Sequence, residues 1–148
     1  MTYHISLFEG ADVIQALTPR TPVNNTAVTS AEVDMQKYES VDFLLNLGTI
    51  DAVVDMAIYS STTSGGTLVA LSDVDSVAAA LTQIAATGDN KGYVVSVYRP
   101  TNRYLKAVVT VGNGTTGAYL SLQAIRYRAA GLTPVTSTLG ELIKSRCN

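Results

Sequence analysis

Hydrophobic and polar residues alternate with a period of two along much of the chain after Ser30. That period predicts β-strands with one buried face, because successive side chains of a strand point to opposite sides of the sheet. In the stretch SVDFLLNLG, the residues that share one face are Val41, Phe43, Leu45 and Leu47. The GTID sequence that follows, at 48–51, predicts a turn.

The same alternation predicts strands in AVVDMAIYS, KGYVVSVYRP, RYLKAVVTVG and AYLSLQAIRY, and a short strand in TLVAL. The sequence STTSGG and Pro100 are typical of loops or strand ends. The inward positions predicted for the last two long strands are Leu105, Ala107, Val109, Val111, Leu120, Leu122 and Ala124. At least six short strands separated by turn signals predict an all-β fold, an antiparallel β-sandwich or jelly roll.

The stretch DVDSVAAALTQIAATGDN has two interpretations. Val77, Leu81 and Ile84 have helical spacing. Asp75 or Ser76 could cap the start of a helix, and Gly88 could end it. The alternative is a loop followed by a strand at 81–85. The residues alone leave both open.

Both ends of the chain are predicted to extend from the sandwich. Pro19 and Pro22 favour an extended path, so we predict an N-terminal arm over residues 1–25, with one helical turn at Val13, Ile14 and Leu17. Residues 26–133 form the predicted sandwich domain. Residues 134–148 form a predicted C-terminal tail, with one helical turn in STLGELIKSRCN.

Composition narrows the possible partners. Only 15% of the residues are charged, the net charge is −2, and no acidic or basic run is present, so we expect no nucleic-acid or anionic-membrane partner. The first 17 residues carry Glu9 and Asp12 and no basic segment, which argues against a signal peptide and for synthesis in the cytoplasm. No apolar run approaches the roughly 20 residues that span a bilayer.

One stretch resembles a dinucleotide-binding loop. Gly112, Gly114 and Gly117 have the spacing G-x-G-x-x-G directly after an apolar run. That motif needs a helix after the glycines and an acidic residue about 20 positions later. Here AYLSLQAI alternates like a strand, and the only later acid is Glu141. We therefore interpret GNGTTG as the tip of a hairpin, since Asn-Gly favours tight turns between strands.

No set of residues predicts catalysis. His4 is the only histidine and Cys147 the only cysteine, which argues against a zinc site and excludes an internal disulfide. Asp73, Asp75 and Ser76 lack the ligand pattern of a calcium loop. Four acids close in sequence are interpreted as solvated strand positions: Glu32, Asp34, Glu39 and Asp42. We predict no catalytic, cofactor-binding or metal site, and a protein that is not an enzyme.

Arginine and tyrosine residues cluster near the ends of the last strands. Both residue types are enriched at protein interfaces, so we predict a protein-contact surface there; ordinary cross-strand packing is the alternative. The candidate contact residues are Arg99, Arg103, Tyr104, Lys106, Tyr119, Arg126, Tyr127 and Arg128.

Three stretches in order resemble a family of small tailed-phage proteins, the jelly-roll capsid decoration (cement) proteins. They are LFEGADVIQALTPR, VDMQKYESVDFLLNLGTID and RYLKAVVTVGNGTTGAYLSLQAI, which together cover 56 of the 121 residues from 7 to 127. None of them is a catalytic signature. The resemblance favours a strand near residues 81–84, where the Ala-rich sequence departs from the family pattern.

The resemblance implies a structural virion protein on the outer capsid surface of a bacteriophage head. It implies binding to the major capsid protein, a homotrimer, and stabilisation of the shell by bridging capsomers. Two other functions remain open at this stage. One is another virion component, such as a head–tail connector, tail or fibre-associated protein; the other is a glycan-binding β-sandwich module.

Overall fold

The computed structural model describes residues 11–72 and 78–129, which fold almost entirely into strands. The strands are β1 (Ala11–Leu17), β2 (Thr26–Thr29), β3 (Val33–Asp34), β4 (Tyr38–Ile50), β5 (Val54–Ser61), β6 (Val69–Ala70), β7 (Ala80–Ile84), β8 (Gly92–Tyr98), β9 (Tyr104–Val111) and β10 (Ala118–Ala129). A 3-10 turn lies at Ala86–Gly88. Every strand pairing in this part of the chain is antiparallel.

The strands form two sheets that share one core. A four-stranded sheet has the order β1-β10-β4-β8. A six-stranded sheet has the order β2-β9-β5-β6, with β3 also paired to β9 and β7 also paired to β5. Among the described strands the chain changes sheet six times, as it does in a double-sheet jelly roll. The changes fall between β1 and β2, β3 and β4, β4 and β5, β7 and β8, β8 and β9, and β9 and β10. The predicted all-β sandwich is confirmed.

The core consists of side chains from the inner faces of both sheets. The largest fully buried side chains include Phe43 and Leu45 from β4, Ile58 from β5, Leu105 from β9 and Leu122 from β10. Burial alternates strictly along β9 from Tyr104 to Val109, as the period of two requires. All the inward positions predicted for β4, β9 and β10 are buried, so the predicted faces of these strands are confirmed.

The glycine stretch at 112–117 is not a hairpin tip, which corrects the interpretation drawn from the sequence. β9 belongs to the six-stranded sheet and β10 to the four-stranded sheet, and they do not pair with each other. The segment instead carries the chain across the edge of the sandwich. An Asn-Gly turn signal identifies a change of direction, but it does not determine which sheet the next strand joins.

The first described residues form a strand at the edge of a sheet. β1 pairs with β10 from Ala11 to Leu17, with an irregularity between Gln15 and Leu17. The helical turn expected at Val13, Ile14 and Leu17 is therefore wrong, and this part of the expected N-terminal arm contributes to the sandwich. Pairing with a neighbouring strand outweighs a helical spacing of only three apolar residues. Residues 1–10 lie outside the described part of the chain.

The stretch with two interpretations forms a strand where the structure describes it. β7 spans Ala80–Ile84 and pairs with β5, with an irregularity between Val54 and Met56. The helix is wrong for these residues, and the strand near 81–84 is confirmed. The expected helix cap at Asp75 lies outside the described residues, as do the C-terminal tail and its helical turn.

Replacement of Gly117 by Ala should destabilise the protein by about 2 kcal/mol or more. Gly117 has a φ of +92°, and an added Cβ would lie 2.0 Å from the carbonyl oxygen of Val23. Gly112→Ala is the matched control, because its Cβ would meet Val53 O at an ordinary 3.4 Å. Urea unfolding measures both variants. Equal stability of the two would contradict the close approach at Gly117.

Candidate functional site

Six of the eight candidate contact residues lie at or near one end of the sandwich. Ser40, near the start of β4, pairs with Tyr98 on one side and with Tyr127 on the other. The C-terminal ends of β8 and β10 therefore flank the start of β4. We name this region the Arg/Tyr end and define it by the following residues: Arg99, Arg103, Tyr104, Lys106, Arg126 and Tyr127.

The other two candidate residues are separate. Tyr119 lies near the opposite end of β10, close to Gly48 of β4, and is 46% exposed. It does not join the Arg/Tyr end. Arg128 is the penultimate residue of β10, and its side chain lies outside the described part of the structure.

Asp34 organises the Arg/Tyr end. Its carboxylate accepts two hydrogen bonds from Arg103, one from Nε at 2.7 Å and one from Nη2 at 2.6 Å. The backbone N–H of Gln36 donates to the same carboxylate at 2.9 Å. Arg126 Nη1 donates to the backbone carbonyl of Asp34 from the other sheet. Asp34 thus connects the start of β9 with the end of β10.

These contacts change the proton affinity of both partners. Hydrogen bonds from Arg103 are the main cause that lowers the pKa of Asp34 below its ordinary value of 3.8. The same interaction raises the pKa of Arg103 above its usual value. A bidentate arginine–carboxylate pair also fixes the orientation of the guanidinium plane.

The four acids close in sequence are partners of the candidate contact residues. Arg99 Nη2 lies 3.2 Å from Glu39 Oε1, and Lys106 Nζ lies 3.6 Å from Glu32 Oε2. The hydroxyl of Tyr127 donates to Asp42 Oδ1 at 3.2 Å. Together with the Asp34–Arg103 pair, these contacts account for all four acids. The interpretation of the acids as solvated strand positions omitted this pairing.

Glu32 also holds the loop after β5. It accepts hydrogen bonds from the N–H of Gly65 at 2.9 Å and from Ser64 Oγ at 2.6 Å. The Gly65 bond is the main cause that lowers the pKa of Glu32. The 61–66 loop is therefore fixed against β9 through the Glu32–Lys106 pair.

Three arginines stack on tyrosine rings at this end. The guanidinium carbon of Arg126 lies 4.4 Å from the ring centre of Tyr38. Arg103 and Arg99 lie 4.9 Å and 5.2 Å from the rings of their neighbours in sequence, Tyr104 and Tyr98. Stacking restrains the arginine side chains, which lowers the conformational entropy they lose when a partner binds.

Arg99 occupies an unusual backbone conformation. Its φ is +46°, in the left-handed region that non-glycine residues rarely adopt. Its N–H still donates to the carbonyl of Glu39 at 2.7 Å. The chain then leaves the sheet at Pro100. The Arg99 side chain is 66% exposed. Strained residues of this kind are often found at functional positions.

A buried ion pair lies beneath the Arg/Tyr end. Asp12 of β1 is 1% exposed and pairs in register with Arg126 of β10. Arg126 Nη2 donates to Asp12 Oδ2, and the Arg126 side chain is 14% exposed. Asp12 Oδ1 and Arg126 Nε are buried without a hydrogen-bond partner among the described residues. The sequence signal for this pair was an acid inside the otherwise apolar start of β1, and the prediction of contact residues did not use it.

A second polar cluster holds the 112–117 segment at the opposite end. Asp51 accepts hydrogen bonds from the N–H groups of Thr116 at 2.7 Å and Gly117 at 2.6 Å. These bonds, that of Thr116 first, lower the pKa of Asp51 below 3.8. Asn24 exchanges two side-chain hydrogen bonds with the backbone of Gly114, at 2.8 and 2.9 Å. This cluster serves the chain crossing, and its backbone donors are occupied by Asp51 and Asn24.

The other candidate chemistry lies largely outside the described residues. His4, Asp73, Asp75, Ser76, Glu141 and Cys147 are not described. Within residues 11–72 and 78–129, no group of three or more His, Cys, Asp or Glu side chains is arranged to hold a metal ion. In the same part of the chain, no helix is long and apolar enough to cross a membrane.

No protein-family model and no curated protein matches this chain. Among solved structures, it is similar to a chain of the Bacillus endospore appendages, disulfide-linked pili, at 13% identity and a TM-score of 0.46; the match covers 88% of this chain and 100% of that one. A chain of infectious bursal disease virus, Gx strain, matches at 10% identity and a TM-score of 0.49, over 84% of this chain and 33% of that one.

A chain of the Gt strain of the same virus matches at 12% identity and a TM-score of 0.35, over 79% of this chain and 32% of that one. This chain therefore spans about a third of the length of the two viral chains. With TM-scores below 0.5, none of these similarities assigns a family or carries a functional argument.

Asp12→Ala should destabilise the protein by about 3 kcal/mol, because it leaves the largely buried Arg126 charge without its carboxylate. The double variant Asp12→Leu/Arg126→Met replaces the pair by apolar side chains and should recover most of that loss. Urea unfolding measures the stability of both variants. We expect their m-values to equal that of the wild type. A double variant as unstable as Asp12→Ala would show that the unpaired charge is not the cause.

Asp51→Asn should lower the unfolding midpoint near neutral pH. The pKa of Asp51 is depressed in the folded state, so its carboxylate stabilises the fold above the unfolded pKa, and this contribution disappears as pH falls through the folded pKa. The difference between wild type and variant should therefore shrink towards zero in acid. Thermal unfolding over a pH series measures it, and a difference independent of pH would refute the role of the ionised carboxylate.

Proposed function

We propose that this chain is a structural virion protein, a capsid decoration protein of a tailed phage. In this proposal it binds the outer surface of the head as a homotrimer and stabilises the shell by bridging neighbouring capsomers. Its work is binding rather than catalysis, and its partners are the major capsid protein and further copies of itself.

The jelly-roll strand order is the observation that carries the proposal. This architecture is common in viral capsid domains, although other classes of protein share it, so the fold supports the proposal by analogy alone. The resemblance of the three sequence stretches adds to it, because they contribute β1, β4, β9 and most of β10. The stretches that carry the resemblance thus include three of the four strands of the four-stranded sheet.

The Arg/Tyr end supplies a suitable contact surface. Arg99 and Arg103 are 66% and 42% exposed at their side chains, although each is paired with an acid. Their stacking on tyrosine rings presents oriented guanidinium groups beside aromatic surface. Arginine and tyrosine dominate the binding energy of many protein interfaces. Copies on a symmetric shell would add avidity if their contacts form simultaneously.

Two measurements test the proposal: the mass of the purified protein in solution, and its co-sedimentation with decoration-free phage heads. We expect a trimer that binds intact heads with saturable stoichiometry and raises their resistance to heat. A protein that is monomeric and binds no form of the head would refute the proposal. Binding confined to isolated tails or connectors would instead support the alternative virion component.

Arg99→Glu should weaken head binding by about tenfold or more if the Arg/Tyr end forms the interface. Lys91→Glu makes the same change of charge just before the opposite end of β8 and is the matched control, for which we expect little effect. Both variants are compared by co-sedimentation at fixed salt concentration. Equal weakening by both would assign the effect to overall charge rather than to the Arg/Tyr end.

A further inference from the structure

Strand β8 leaves one edge unpaired among the described residues. It is the last strand of the four-stranded sheet and pairs only with β4. Arg99 N–H donates to Glu39 O, and Leu47 N–H donates to Lys91 O. Because bonded pairs alternate in an antiparallel ladder, the odd-numbered residues of β8 bond to β4. Val94 and Ser96 therefore direct their N–H and C=O groups away from β4.

The composition of β8 leaves this edge unprotected. The strand GYVVSVY contains no charged residue and no proline, whereas natural edge strands usually carry such residues to prevent pairing. The charges lie just outside it, at Lys91 and Arg99. Val94 is 51% exposed on its outer face. An edge of this kind is suited to accept another strand.

An apolar groove of about 510 Å³ runs beside the same edge. It separates β8 from the strands of the six-stranded sheet that face it. Its apolar lining includes Leu71, Ala79 and Leu81 from one sheet and Val95 and Val97 from the other. An extended segment paired with β8 would place every second side chain in this groove, because side chains alternate along a strand.

We propose that the occupant is the segment at 135–139 of the same chain, Val-Thr-Ser-Thr-Leu. Val135, Ser137 and Leu139 alternate with two threonines, so one face of an extended segment is largely apolar and its residues favour strands. The segment contains no charged residue. This proposal does not depend on the proposed virion function.

The chain outside the described residues begins close to the edge that it would occupy. β10 ends at Ala129, opposite Tyr38 of β4, and β8 ends at Tyr98, opposite Ser40. The two ends lie two strand spacings apart and are offset by two residues along β4, so they are about 12 Å apart. The added strand lies one spacing beyond β8, which puts Val135 roughly 17 Å from Ala129. The six chain steps between these residues reach roughly 20 Å when extended. The segment then runs back along β8 in the antiparallel direction.

The apolar face of the segment at 135–139 determines its register with β8. Val135 lies opposite Val97 and Leu139 lies opposite Tyr93, so that both apolar side chains enter the groove. Thr136 then lies opposite Ser96, and Thr138 opposite Val94, on the outer face. In this arrangement the N–H groups of Val94 and Ser96 donate to carbonyls of the added strand.

Amide hydrogen exchange of the full chain tests the pairing. The amide hydrogens of Val94 and Ser96 should exchange at least about tenfold more slowly than those of unpaired amides. Val135→Asp/Leu139→Asp places two charges in the groove and should remove this protection. Thr136→Asp/Thr138→Asp adds the same charge on the outer face and should retain it. Unchanged protection of Leu105 and Val109 in the core verifies that each variant is folded.

Unprotected Val94 and Ser96 amides in the wild-type chain would overturn the proposal. Equal protection, or equal loss of it, in the two double variants would also overturn it. A cysteine pair, Ser96→Cys/Thr136→Cys in a Cys147→Ser background, identifies which chain supplies the strand. We expect an oxidised product with the mass of one chain. A disulfide that joins two chains would overturn the assignment to the same chain.

Discussion

The four-stranded sheet depends on the antiparallel pairing of β4 with β10. These are the longest strands of the described chain, at 13 and 12 residues. Each then takes a second neighbour, β8 on β4 and β1 on β10. Phe43 and Leu45 pair in register with Ala124 and Leu122, and all four are buried in the core. A slip of one residue would expose this entire apolar face, because the side-chain period is two.

The sequence predicted the faces of the strands well and their partners poorly. Alternation identified the buried positions of β9 and β10, since the side-chain period is a local property of the chain. Whether two strands belong to the same sheet depends on contacts that are distant in sequence. The stretch at 112–117 shows the difference: its turn was predicted, but its passage between sheets depends on Asp51 and Asn24, far away in the chain. The helical turn in β1 failed because pairing with β10 determines that segment.

The candidate contact residues show a similar limit. Arg103 and Arg126 were identified by residue type and by their position near strand ends, and the fold brings them together around Asp34. The acids at 32–42 were interpreted separately, because nothing in the local pattern links them to residues 60 or more positions later. Asp12 was missed as a partner for the same reason. Its burial follows from its register with Arg126, which a single sequence does not reveal.

The position of β10 has a consequence for how the chain folds during synthesis. β10 lies in the interior of its sheet, between β1 and β4, yet it follows every other described strand in the chain. Until β10 leaves the ribosome, β1 has no partner among these strands, and one edge of β4 lacks its neighbour. Pairing over such long sequence separations is slow, and exposed strand edges promote aggregation. The four-stranded sheet therefore closes only after β10, the last of the described strands, is available.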